Sequence, residues 1–363
     1  MKYFFIIGLF LLSAKAAVSQ GCVAVRSNGA YCTRNAADTA DDHKWQLTMG
    51  YRYFKSFRHF VGTEEQKERI EKKTDVRNWQ HSMDFTLFRK LNNRWSIGFN
   101  MPVISNKRSS LYEHYGNSST NPNARRETHS FGVGDMRFTA YRWMFDPAKS
   151  KKGNIQMGLG IKLPTGDYEY QDFFWKNDST KILGPVDQSI QLGDGGTGIA
   201  LEVNGYYSFG HVLSVYGNFY YLSNPREHNG VSTARGGTSS ATSITYGSSV
   251  MSVPDQYMIR GGANVMLGKF SASAGVRLEA VPSKDLIGGS SGFRRPGRIL
   301  GVEPGVAYQM KKVNFFATVP YWFVKNRTQS YADKVRTKMT GVYAQGDAAF
   351  ADYTINIGCS IKF

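Results

Sequence analysis

The chain is poor in cysteine, in acids relative to bases, and in long apolar runs. Three cysteines in 363 residues exclude a small disulfide-stapled scaffold and a cysteine-rich metal centre. The one long apolar run is Phe4 to Leu12. It is too short to cross a bilayer as a helix, which takes about 20 residues. No later stretch is long enough, so a helical inner-membrane protein is excluded. Lys2 precedes the run, and the small residues Ala17, Val18 and Ser19 follow it. A charged start, an apolar centre and a small-residue end make a secretory signal, expected over 1–19 with cleavage after Ser19. Cys22 as a lipid-bearing first mature residue is a poorer fit, because Ser19, Gln20 and Gly21 precede it. Phosphate loops and metal-ligand spacings are missing too, so no metal or cofactor is expected.

An exported chain without membrane helices is periplasmic, secreted or an outer-membrane barrel. Abundance favours the barrel: 23 Phe, 21 Tyr, 6 Trp and 38 Gly. Barrels carry aromatic girdles at both interfaces and alternate apolar and polar residues along each strand. The C-terminus alternates most clearly. Tyr353, Ile355, Ile357, Cys359, Ile361 and Phe363 form one face, and Thr354, Asn356, Gly358, Ser360 and Lys362 the other. Asn356, Gly358, Ile361 and Phe363 resemble the terminal signal by which outer-membrane barrels are recognised for assembly, which makes the assembly machinery an expected partner. Cys359 then lies on the apolar face of the last strand.

The same alternation predicts twelve antiparallel strands, near 45–58, 80–90, 95–104, 133–144, 154–164, 197–208, 212–223, 256–267, 270–281, 298–310, 313–325 and 352–363. Five short connections alternate with six long ones, about 59–79, 105–132, 165–196, 224–255, 282–297 and 326–351. Short periplasmic turns and long outer loops are the barrel pattern. The fold class is therefore an all-β, up-and-down transmembrane barrel over 44–363, in the outer membrane. Residues 20–43 precede it as a periplasmic cap or a plug. Cys22 and Cys32 there are expected to form a disulfide. The acids Asp38, Asp41 and Asp42 read as solvated surface.

Four stretches resemble the outer-membrane barrel family named for the meta-pathway of phenol degradation. They begin at Gly132-Val-Gly-Asp-Met-Arg-Phe, Gly158-Leu-Gly-Ile-Lys-Leu-Pro-Thr-Gly-Asp, Val302-Glu-Pro-Gly-Val-Ala-Tyr and Asn326-Arg-Thr-Gln-Ser. The likeness covers 44–363. It implies a barrel that takes up small organic compounds.

The formal charge of +17 raises nucleic acid or an anion pore as alternatives, and the positions of the charges weaken both. By alternation the inward bases are Arg52, Arg137, Lys162, Arg260 and Arg277. The inward acids are Asp84, Asp135, Glu202, Glu279 and Glu303. Such a balanced lumen reads as paired ladders across neighbouring strands. The excess sits at the turns, on Arg89, Lys90, Arg94, Lys149, Lys151, Lys152, Lys269, Lys311, Lys312 and Lys362, where anionic lipid headgroups attract it. Outer-membrane lipid is thus an expected partner and nucleic acid is not. The acidic loop 165–196 carries Tyr168, Tyr170, Phe173, Phe174 and Trp175, a candidate ligand-capture loop or constriction.

No enzyme is expected. His129-Ser130 and His81-Ser82 are the suggestive pairs, and adjacent residues on extended chain point apart. Two functional readings remain. One is a barrel passing small organic solutes, aromatic or apolar, by passive diffusion. The other is a non-transporting barrel with a structural or docking role. The inward glycines Gly50, Gly98, Gly158, Gly160, Gly275, Gly301, Gly305 and Gly358 are expected to leave room for passage. Phe54, Phe88, Tyr216, Tyr220, Phe316 and Trp322 point in beside them. Pro304 and Pro320 fall on adjacent strands one pairing step apart. Proline cannot donate to the ladder, so this place is either a bulge or a lateral seam through which an apolar solute could leave.

Overall fold

A computed structural model describes residues 43–115 and 124–363. The expected signal, the Cys22–Cys32 disulfide and the segment before the first strand lie outside the described residues. The wall is a closed barrel of twelve antiparallel strands. They are β1 (Trp45–Val61), β2 (Arg77–Lys90), β3 (Trp95–Ser110), β4 (Arg126–Val133 and Arg137–Trp143), β5 (Gly153–Lys162) and β6 (Gly198–Ser208). Then come β7 (Leu213–Ser223), β8 (Gln256–Leu267), β9 (Phe270–Val281), β10 (Gly297–Gln309), β11 (Val313–Thr318 and Tyr321–Arg327) and β12 (Ala348–Lys362). Each pairs with its chain neighbours, and β12 closes on β1. Mutual bonds of 3.0 Å between the backbones of Trp45 and Phe363 complete that closure.

Alternation explains the wall. Leu159, Ile161, Ile199, Val276, Val306, Phe315 and Ile357 stand exposed on the outside. Arg52, Asn100, Thr139, Glu202, Asn218, Arg260 and Asn356 are buried on the inside. Outer apolar surface of this kind is stable only against lipid. Among the described residues no helix is long and apolar enough to cross a membrane. Five turns, 91–94, 144–152, 209–212, 268–269 and 310–312, lie at one end. Six loops lie at the other: L1 (62–76), L2 (111–125), L3 (163–197), L4 (224–255), L5 (282–296) and L6 (328–347).

Two strands are interrupted, and each interruption changes which residues face in. In β4, Thr128 and Ser130 are buried inside above the break, and Arg137, Thr139 and Tyr141 below it. Asp135 therefore stands in the break and not in a regular strand. Gly134 N–H still donates to Pro102 O of β3 at 2.8 Å, and L3 takes up the Gly134 carbonyl and the Met136 backbone. Met136 N–H donates to Thr165 Oγ1 at 2.8 Å, and that hydroxyl donates to Gly134 O at 3.0 Å. In β11 the break is Val319–Pro320. Gly305 faces Thr318 and Val302 faces Tyr321, so the β10–β11 register runs on through both prolines. Val319 N–H donates to Pro304 O at 3.1 Å. A bulge at Phe323 follows, since Gly301 faces Trp322 but Leu300 faces Val324. It turns Lys325 inward, where it is buried.

On its other flank β11 is held more thinly. Thr318 pairs with Asn356 and Tyr321 with Tyr353. Above Tyr321 no further β11–β12 pair forms among the described residues, and Arg327 instead pairs with Gly62 beyond the end of β1. Side chains bridge the interval: Trp322 Nε1 donates to Thr354 Oγ1 at 3.2 Å, and Lys325 Nζ to Asp352 at 2.8 Å.

Candidate functional site: lumen and outer mouth

The inward charges form several clusters. Arg52 on β1 reaches Glu279 on β9 at 3.3 Å, across the lumen between strands that are not neighbours. Arg277 holds Glu279 at 2.6 Å and Glu303 at 3.4 Å, and Arg260 holds Glu303 at 3.2 Å. On the other side Arg137 donates to the Tyr220 hydroxyl at 2.6 Å, and Tyr141 donates to Glu202 at 3.3 Å. Lys162 is bound by Asp135, at 3.2 Å, and by Asp194 of L3. Asp84 lies on β2 between Gly50 and Pro102, and one of its buried carboxylate oxygens has no hydrogen-bond partner among the described residues. The expectation of ladders across neighbouring strands is thus corrected. It describes Arg277–Glu303 and Lys162–Asp135, whereas Arg52–Glu279 is a cross-lumen strut. Long side chains inside a closed cylinder can reach across it as easily as along its wall.

The inward glycines divide: Gly50 has open space where a Cβ would be, whereas Gly98, Gly158, Gly160, Gly275, Gly301, Gly305 and Gly358 do not. A Cβ on Gly158 would sit 2.6 Å from a ring carbon of Tyr141, and one on Gly358 would collide with the Phe316 ring. Glycine here lets an aromatic ring of the neighbouring strand pack close against the wall, and the ring takes the space.

L3 enters the outer mouth through 186–194. Ile190 O accepts hydrogen bonds from Asn106 Nδ2 at 3.1 Å and from Ser130 Oγ at 2.5 Å. Beside it four loops and one strand meet in a buried knot of charge. Arg108, at the outer end of β3, donates to Glu113 of L2 at 2.8 Å and lies 3.4 Å from Asp187 of L3. Arg295 of L5 grips Asp187 with two bonds, 2.8 and 2.6 Å. Arg235 of L4 reaches Glu113 at 3.1 Å. Bidentate and charge-assisted contacts of this kind are the strong ones. Burial pushes the Asp187 carboxyl up, but Arg108, Arg295 and Arg235 outweigh it and hold it well below the usual range. Glu113 is held low in the same way by Arg108 and Arg235. Sequence reasoning missed this knot, because its members come from five segments with no shared spacing.

The aromatics of L3 divide. Phe174 is fully buried and stacks on His114 of L2, ring centroids 5.7 Å apart. Phe173 is exposed under Lys181, 4.0 Å from its ring. Trp175 faces Arg126 at 4.7 Å, and Tyr168 faces Arg226 at 5.7 Å. Tyr170 is half-buried, and its backbone N–H donates to Gln191 at 3.0 Å. The part of L3 that enters the mouth is the segment after these rings. His129 is exposed while Ser130 is buried inside, so that pair is split between the two faces. No group of three or more His, Cys, Asp or Glu that could hold a metal occurs among the described residues.

No protein-family model matches the chain, and no curated protein does. Solved structures do. The COG4313 outer membrane channel from Pseudomonas putida F1 matches with TM-score 0.56 at 10% identity, over 94% of this chain and 100% of that one. This is the fold of an outer-membrane channel. A Pseudomonas aeruginosa FadL homologue and the Ralstonia pickettii toluene transporter TbuX are more distant, with TM-scores of 0.43 and 0.41. Each is 10% identical, over 96% and 98% of this chain and 100% of theirs. The transmembrane barrel is thus established by the fold.

Proposed function

We propose that this barrel passes small organic solutes, aromatic and apolar ones among them, across the outer membrane by passive diffusion. The observation that carries it is the lining. The rings of Phe88, Tyr141 and Phe316 pack closely against inward glycines of the lumen wall. Of the charges beside them, Arg52, Arg260, Arg277, Glu279 and Glu303 are engaged with one another and not left to bind a passing solute. Ring-on-ring contacts are worth about 0.5–1.5 kcal/mol each, weak enough to be made and released in transit. The test is flux of a single-ring solute into proteoliposomes holding the purified barrel. Flux above protein-free vesicles, saturating little with concentration, is expected. Flux equal to that of protein-free vesicles would leave a structural barrel.

A second route is favoured by β11. Pro304 of β10 leaves one donor missing at the β10–β11 seam; Pro320, whose carbonyl accepts the Thr354 N–H at 3.0 Å, leaves one missing towards β12, to which β11 is thinly paired above Tyr321. An apolar solute could leave sideways there into the bilayer. Two disulfide locks test this, Gly305→Cys with Thr318→Cys and Tyr321→Cys with Tyr353→Cys, each at directly paired positions. If transport of an apolar solute survives both locks, the sideways route is dead and the path is axial.

A further inference from the structure

Beside the charge knot, L3, L4 and L5 enclose a cavity of about 340 Å³ on the outer side of the barrel. We infer that this cavity is a binding site for a small amphiphilic carboxylate, a single ring bearing one acid group. Volumes near 300 Å³ and above suit small-molecule pockets.

Its walls are of two kinds. Pro185, Val186, Met251 and Phe293 make an apolar side, with Val186 and Met251 almost fully buried. Thr238 and Ser239 add a hydroxyl-bearing part, which Arg235 joins. A ring fits the first side, and an oxyanion needs the donors of the second.

Arg235 is set for this role by its backbone. It has φ of +51°, a left-handed conformation rare outside glycine. The next residue, Gly236, also has positive φ and packs directly against Gly184 of L3, with no space for a side chain on either. The strained turn is held by that contact and fixes where the guanidinium goes. Nη2 is given to Glu113, and Nε is buried with no hydrogen-bond partner among the described residues. The side chain is nonetheless 28% exposed, which leaves Nη1 as its accessible polar end.

Charge favours an anion. The knot holds three guanidinium groups against two carboxylates. Asp187 also lines the cavity, but Arg295 and Arg108 already engage it. Among the described residues guanidinium groups thus outnumber carboxylates in a partly dry place, where a carboxylate interacts far more strongly than in bulk water. The site requires no passage through the lumen, and its test measures none, so its failure and that of the channel are separate results.

The experiment is titration calorimetry of the full chain in detergent with benzoate, benzyl alcohol and acetate as probes. Benzoate is expected to bind at least ten times more tightly than either, since one lacks the charge and the other the ring. Arg235→Gln should erase the preference for benzoate over benzyl alcohol. Because that change also loosens the knot, Ser239→Cys is read separately. Benzoate should slow its labelling by a thiol reagent at least fivefold, with every knot residue intact. Equal binding of the three probes, an unchanged preference in Arg235→Gln, or labelling of Ser239→Cys at the same rate with and without benzoate would each overturn the assignment.

Discussion

His114 shows how much one side chain can depend on its protonation state. It is fully buried between L2 and the L3 hairpin, stacked on Phe174, and its Nδ1 accepts the Trp175 N–H at 3.1 Å. Protonation would put a hydrogen on Nδ1 and break that bond. Burial pushes the imidazole down to about 4, with Glu113 opposing and Arg126 adding to the fall. The ordinary value is about 6.5, so the released loop takes up the proton first as pH drops. The contact is therefore complete above about pH 6.5 and is lost as pH falls towards 4. A spin label on Ser179→Cys, at the hairpin tip, should become more mobile across that window. His114→Asn keeps an acceptor that does not titrate, so its label should be insensitive to pH. Identical pH profiles for the two proteins would refute the assignment. None of this was legible beforehand: His114 reads in sequence as one more loop histidine, and only the folded loops supply its ring partner and its donor.

Strands were legible to within a few residues, because a wall with lipid outside and polar groups inside imposes a period of two on every span. β8 and β9 are the clearest cases, with predicted bounds matching Gln256–Leu267 and Phe270–Val281. The outer half of β4 was missed. Its alternation runs out of phase with the lower half, because the chain breaks step at 134–136, where Met136 and the Gly134 carbonyl turn to Thr165 of L3. The bulge at Phe323 hid Lys325 in the same way. The Pro304 and Pro320 register was readable, since a two-residue turn at Lys311–Lys312 fixes the pairing by counting. The last strand carries an expectation of its own. Phe363 closes the barrel through two bonds to Trp45, and it ends the Asn356, Gly358, Ile361 pattern. Deleting Phe363 should cut the amount of heat-modifiable, folded barrel in the outer membrane severalfold. Undiminished insertion would remove this residue from the assembly signal.

At the scale of the molecule the Arg52–Glu279 strut ties together parts of the wall four strands apart around the ring. The sequence named both ends, but a period-two reading orders residues by face and says nothing about what lies opposite across a lumen. Glu279 also holds Arg277, so Glu279→Gln leaves two buried guanidinium groups short of a counter-charge. Removing one partner of a buried pair costs on the order of 3 kcal/mol. The urea midpoint should fall accordingly, and in planar bilayers the selectivity of the pore should shift towards anions. An unchanged midpoint together with unchanged selectivity would show that the strut does not hold in the membrane.

The knot at the outer mouth bears on how such a barrel could open. L2, L3, L4, L5 and the end of β3 all end on the same two carboxylates, Glu113 and Asp187. Withdrawing any one loop strands a buried charge on the others, so partly opened arrangements are the costliest of all. The mouth is therefore built for two populations, shut and open, with little between them. A recording of single barrels would then register abrupt, full-height steps, and a ligand or mutation at any loop would change how often those steps occur and leave their size alone.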